Sequence, residues 1–175
     1  MKNGKVLSEA TLGFPLAEKD TKVLMGFKTR SIGEDCLAGF GGGIELYETG
    51  PESLARELKE ECGLIARPED CENVAVMYSL NNQPDGTFFV CRVLIYFIRT
   101  WTGKVVDTDE MRDNHWRDIS NLPYKDMLPD LEGWLPELLG GEQLIINVHY
   151  SPFQKELLAP VEIMPIEDYI REREL

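Results

Sequence analysis

Hydrophobic positions along the chain fall into two rhythms. Val23–Lys28, Ala75–Leu80 and Phe88–Thr100 are rich in β-branched and aromatic residues and are predicted strands. The Phe88–Thr100 run is apolar on both pleat faces, which predicts a central strand covered on both sides. Asn82, Pro84, Asp85 and Gly86 form a turn cluster between the last two segments and predict a hairpin. Leu144–Val148 and Leu157–Met164 are further predicted strands, and the charged Arg171–Leu175 is predicted to fray. Two segments have helical spacing. The first runs from Pro51 to Cys62, with Thr49 and Glu52 as a capping box and Gly63 as a left-handed stop. The second spans Leu131–Leu139 and ends at Gly140-Gly141. Strands outnumber helices and include a hairpin, so the expected class is an α+β sandwich with a mixed sheet.

The first helix carries the candidate chemistry. At about 100° per residue, Glu57, Glu60 and Glu61 lie within one arc, while Leu54, Ala55, Leu58 and Cys62 form the packing face. Arg56 and Lys59 are placed on the solvent side, with Arg56 four residues before Glu60 and able to brace it. Like charges on one face destabilise a helix unless a cation intervenes, and hard oxygen ligands suit Mg²⁺ or Mn²⁺. A solvated acidic face is the alternative for any such run considered alone.

Composition narrows the partners. Acidic residues number 31 against 18 basic ones, a net charge of −13, which argues against a nucleic-acid binder and against docking on an anionic membrane. An anionic substrate would therefore need a cation with it. The longest apolar run, Val93–Ile98, is too short for a bilayer, and Met1–Leu7 lacks the apolar core of a secretory signal. Cys36, Cys62, Cys71 and Cys91 form no CxxC pair, and a reducing cytoplasm is the expected compartment. At 175 residues, a single domain over 1–175 is expected.

Around the helix the spacing becomes specific. Gly42, five residues, Glu48, seven residues, then Arg56-Glu57-Leu58-Lys59-Glu60-Glu61-Cys62-Gly63-Leu64 fills every fixed position of the Nudix box. The sequence thus resembles the Nudix hydrolases, which cleave a nucleoside diphosphate linked to another moiety. The resemblance implies an α/β/α sandwich, a divalent cation and pyrophosphohydrolase chemistry. It implies that the carbonyl of Gly41 joins Glu57 and Glu61 on the cation, with Glu60 beside them. Glu48 is either part of this loop site or a solvated acid.

The similarity extends to Val23–Arg30, Gly39–Gly42, Asp109–Arg112 and Leu122–Asp130, with Trp134-Leu135-Pro136 after them, and there it resembles the oxidized-purine nucleoside triphosphatases that remove 8-oxo-dGTP. In that branch Glu110 would serve metal or base. Its base pocket uses an Asn where this chain has Ala38, and a Trp-Pro-Asp-Asp segment where this chain has Leu128-Pro129-Asp130-Leu131. Base choice is therefore expected to differ or loosen. Asp130 is either a base contact or the N-cap of the second helix. Lys28 and Arg30 either meet phosphates or mark an exposed strand edge, and Phe27 and Ile32 either wall a base pocket or pack in the core.

Three functions follow from this resemblance. The first is Mg²⁺-dependent attack of water on a nucleoside triphosphate, releasing monophosphate and pyrophosphate, with Glu60 or Glu110 taking the proton and Arg56 positioning. The second is Nudix chemistry on ADP-ribose or a dinucleotide. The third is a nucleotide-sensing domain without catalysis.

Overall fold

A computed structural model describes residues 7–167, so the Met1–Leu7 signal argument and the Arg171–Leu175 end fall wholly or mostly outside the described residues. Among the described residues ten strands and two α-helices follow one another. They are β1 (Leu7–Ala17), β2 (Lys22–Lys28), β3 (Leu37–Ala38), α1 (Gly50–Cys62), β4 (Leu64–Ile65), β5 (Cys71–Asn82), β6 (Phe88–Ile98), β7 (Thr102–Gly103), β8 (Met111–Asp118), α2 (Leu135–Leu139), β9 (Leu144–Tyr150) and β10 (Glu162–Pro165).

The main sheet has the order β10-β9-β5-β6-β1-β2-β3, with β8 also paired to β2, and it is mixed: β1 runs parallel to β6 and β5 parallel to β9. β4 and β7 form a separate two-stranded ladder. One core cluster joins Phe14, Met25 and Ile95 to Trp134, Leu135 and Leu138 of the α2 region. The other joins Leu24, Phe40 and Ile98 to Leu54, Leu58 and Cys62 of α1. The helices therefore cover opposite faces of the sheet, which is the expected α/β/α sandwich.

Local sequence accounts for α1 closely. Thr49 caps it, with the Glu52 carboxylate returning to the Thr49 backbone N–H at 2.8 Å, and Gly63 closes it at φ 78°. Leu54 and Leu58 are completely buried, each contributing roughly 1.5–3 kcal/mol of apolar burial. Ala55, expected on the packing face, is only half-buried.

Two predicted elements are shorter than expected. Leu131–Gly133 forms a 3₁₀ turn and the α-helix begins only at Leu135, because Pro136 cannot follow a helical turn begun at Leu131 without its ring meeting the Glu132 carbonyl. The predicted Leu157–Met164 strand exists only as Glu162–Pro165, and Leu157 makes one isolated bridge to Tyr150. Pro160 has no amide to donate to a ladder between them. Strands β1 and β8, absent from the hydrophobic pattern, complete the sheet. Among the described residues no helix is long and apolar enough to cross a membrane, and all four cysteines are free.

Candidate active site

The Gly39–Gly43 segment passes over α1 with little room to spare. Phe40 exchanges backbone hydrogen bonds with Gly13, and the Thr11 N–H donates to the Gly42 carbonyl. At Gly41 φ is 148°, and a Cβ would lie 2.2 Å from the Thr11 carbonyl oxygen. At Gly42 a Cβ would lie 2.6 Å from Glu57 Oε1. Only glycine leaves space there for that carboxylate.

Beneath this turn the α1 carboxylates separate by environment. Glu61 is 5% exposed and accepts the Gly41 N–H at 2.9 Å. Its carboxyl is pushed up to about 7, mainly by burial and further by the neighbouring Glu57 and Glu110 charges, against the Gly41 hydrogen bond and the Lys28 charge. Glu57 is raised too, first by burial, with Arg56 opposing and Glu60 and Glu110 adding to the rise. Glu60 stands at the exposed rim.

Arg56 is not the solvent-side residue expected. It is only a quarter exposed and gathers the loop and helix together. Its guanidinium donates to Glu48 at 2.9 and 3.0 Å, to Glu57 at 2.7 Å, to Glu60 at 3.3 Å and to the Gly43 carbonyl at 3.3 Å. These hydrogen bonds hold Glu48 down to about 2, so Glu48 is an anchored acid and not a freely solvated one. Lys59 is exposed, as expected.

Glu110 reaches the same region from the segment before β8. Its charge is felt by both Glu57 and Glu61, and its carboxylate pairs with Arg30. Arg30 lies past the end of β2 and so does not share a strand face with Lys28, contrary to expectation. Lys28, Gly41 and Gly42 line a cavity of about 270 Å³. Among the described residues no three metal-ligand side chains converge at binding distance. The donor set nevertheless suits a hard divalent cation: a buried acid and a half-buried one repel each other beneath a glycine turn, with the Lys28 charge favouring ionised Glu61.

The same cavity is also lined by Asp130, Trp134 and Tyr150. Asp130 is 1% exposed and stands at the N-cap position of the Leu131–Gly133 3₁₀ turn, but its side chain makes no capping hydrogen bond. Its Oδ2 accepts the Trp134 indole N–H at 2.7 Å, the Tyr150 hydroxyl lies beside the carboxylate as a second donor, and the buried Oδ1 makes no hydrogen bond within 3.5 Å. Burial pushes the Asp130 carboxyl up, with Tyr150 and Trp134 opposing. Ile32 and Leu128 stand at the mouth, which opens into an outer cavity of about 960 Å³.

One expected pocket residue, Ala38, lies elsewhere, and of the two alternatives for Phe27 the structure shows core packing. Ala38 lines neither cavity, being held in the β2–β3 ladder opposite Gly26. Phe27 packs against the core with Arg112 and Arg117 over its ring at 5.2 and 5.6 Å. Tyr150, Ser79, Asn81 and Gln154 were not found from sequence. Their only signal is a polar residue on an otherwise apolar strand pattern, or a position beyond the recognisable motifs.

Fold and site together define a hydrolase class in which a glycine turn and a carboxylate helix form one face of an α/β/α sandwich. The NUDIX domain family model matches residues 8–138, and the chain belongs to the Nudix hydrolases. It is 31% identical over 151 residues to an oxidized purine nucleoside triphosphate hydrolase of Danio rerio, covering 84% of this chain and 89% of that protein. It is 29% identical over 108 residues to an ADP-ribose pyrophosphatase of Methanocaldococcus jannaschii, covering 62% and 61%. Among solved structures, a MutT protein from Bacillus halodurans superposes with a TM-score of 0.75 at 18% identity, covering 90% of this chain and 97% of that one.

Proposed function

We propose that this protein hydrolyses an oxidized purine nucleoside triphosphate to the monophosphate and pyrophosphate, with Mg²⁺ (or Mn²⁺) as cofactor. The observation that carries the reading is a single cavity with two kinds of lining: Lys28 and the Gly41-Gly42 turn, which packs on Glu57 and Glu61, and the buried carboxylate of Asp130, whose Oδ1 makes no hydrogen bond within 3.5 Å. A polyphosphate fits the first lining and a base edge fits the second.

Glu57, Glu60, Glu61, Glu110 and the Gly41 carbonyl are the groups that would hold the cation. When bound, the cation supplies charge neutralisation of the phosphates and acidification of the attacking water. Arg56 positions Glu48, Glu57 and Glu60 from one guanidinium. Lys28 meets phosphate oxygens, and Arg30 holds Glu110 until substrate arrives. Glu60 or Glu110 accepts the proton from water; the one whose Gln variant flattens the pH–rate profile is the base. Asp130 Oδ1 meets the base. As a carboxylate it accepts a ring N–H, and as the acid favoured by its burial it donates to a ring nitrogen or carbonyl. Ile32 and Leu128 supply apolar contact at the mouth in place of aromatic stacking.

The outer cavity supports a second reading. Phe89, Tyr124 and Phe153 line it beside Lys125 and Lys155, a setting for a second moiety as in ADP-ribose. A panel of oxidized and ordinary triphosphates beside ADP-ribose and dinucleotides, with products resolved by chromatography, tests both. Pyrophosphate from 8-oxo-dGTP is expected; two monophosphates from ADP-ribose, with no triphosphate turnover, overturns the first reading.

A further inference from the structure

The cavity has a second polar edge that none of the family motifs contains. Ser79 and Asn81 are on β5, and parallel pairing sets Asn81 opposite Tyr150 of β9. Asn81 is 3% exposed and fully committed: its amide N–H groups donate to the Ser79 carbonyl at 2.9 Å and the Ser79 hydroxyl at 3.0 Å, while its Oδ1 accepts from Gln154 Nε2 at 2.8 Å. A buried amide bonded on both sides has one orientation, so it fixes the Gln154 side chain. Gln154 has its remaining amide N–H and its Oε1 without partners among the described residues, and it lines the cavity with Asp130.

The backbone that delivers Gln154 is strained. Phe153 and Gln154 are consecutive non-glycine residues at φ 62° and 56°, in a turn closed by Ser151 and Glu156. Left-handed conformations of this kind persist where surrounding contacts hold them, and they concentrate at ligand-binding sites. The turn closes a short hairpin, with Tyr150 bridging Leu157 and the Leu158 N–H donating to the His149 carbonyl, and it sets Gln154 against Asn81. Residues 151–155 also lie beyond the segment matched by the family model.

We infer that Gln154, oriented by Asn81, selects a purine carrying a second lactam edge. This rests on the triphosphatase reading above and deepens it. A carboxamide with one free N–H and one free oxygen pairs with a ring N–H beside a ring C=O through two hydrogen bonds. An 8-oxopurine presents that pair on its imidazole edge. With Asp130 on the N1–H edge, as proposed above, the imidazole edge faces Gln154; the ordinary purine presents a bare nitrogen and a C–H there, so the two amide groups cannot both be paired. A site built for a polar group rejects the analogue lacking it, because its own group stays unpaired.

The test compares binding of 8-oxo-dGMP and dGMP by calorimetry, which needs neither metal nor turnover, in wild type, Gln154→Met and Gln154→Gly. Met keeps the length without hydrogen bonding. Gly relieves the left-handed backbone, so loss of fold is not its default outcome. Wild type is expected to prefer 8-oxo-dGMP at least tenfold. Both variants should bring the ratio down about tenfold, with thermal melts confirming the fold. Equal binding of the two nucleotides by wild type, or an unchanged ratio in both variants, overturns the inference. Preferential 8-oxo-dGMP binding with no triphosphate turnover would leave Gln154 as the selector and refute the triphosphatase reading instead.

Discussion

Replacing Glu61 with Gln separates the stability and the function of one carboxyl. Glu61 is ionised near pH 4.5 in the unfolded chain but only near 7 when folded. The folded state therefore binds more protons between these values, and stability falls as pH rises through that window. With both values in the linkage relation, Glu61 withdraws about 2 kcal/mol from the metal-free protein between pH 5 and pH 7.5. For a domain of this size that is a loss of about 4–8 °C in Tm. Glu61→Gln keeps the shape and the acceptor for the Gly41 N–H but has no proton to lose. In EDTA, differential scanning fluorimetry across pH 5 to 7.5 should therefore show the variant's Tm declining less than wild type's by about that amount. In Mg²⁺ at pH 7.5 wild type should recover stability and the variant should not, while its turnover falls at least 100-fold. Parallel Tm-against-pH lines for the two proteins in EDTA would refute the reasoning, since the burial of Glu61 would then carry no linked cost.

Gly42→Ala places a methyl 2.6 Å from Glu57 Oε1 and should raise the Mg²⁺ concentration for half-maximal activity about tenfold while shifting Tm by under about 3 °C; metal titration of the initial rate checks this. Arg56→Gln frees Glu48, Glu57 and Glu60 together, and steady-state kinetics should show kcat lowered about 100-fold because the site loses its common anchor. Glu48 should then titrate above about 2, which carboxylate NMR can follow. Trp134→Phe removes the donor to Asp130 Oδ2 and should cost about 1–3 kcal/mol in urea unfolding, with KM for the nucleotide rising more than kcat falls.

The part of the site that sits in one short stretch was legible. Thr49, Glu52 and Gly63 define a helix by contacts within four residues, and helical spacing alone puts Glu57 and Glu61 on one arc. Arg56 was misplaced on the solvent side because the helix period gives its direction but not its partner; Glu48 arrives from a preceding loop. Strand β1 was missed since Gly13 and Pro15 interrupt its pattern and its partner β6 lies some eighty residues away. Strand β8 was missed because Met111–Asp118 is mostly polar and belongs to the sheet by pairing with β2.

What the sequence by itself determined is the carboxylate-bearing helix, the glycine turn before it, the mixed α+β class and the family. What only the tertiary structure decided is the polar lining of the cavity around Asp130. Asn81, Asp130, Tyr150 and Gln154 come from distant stretches of the chain, and they meet because β5 and β9 pair in parallel and the 151–155 turn folds back over them. Local periodicity reports which face of an element is buried; it holds no information on which buried faces oppose each other. That depends on sheet order and register, which long-range packing sets.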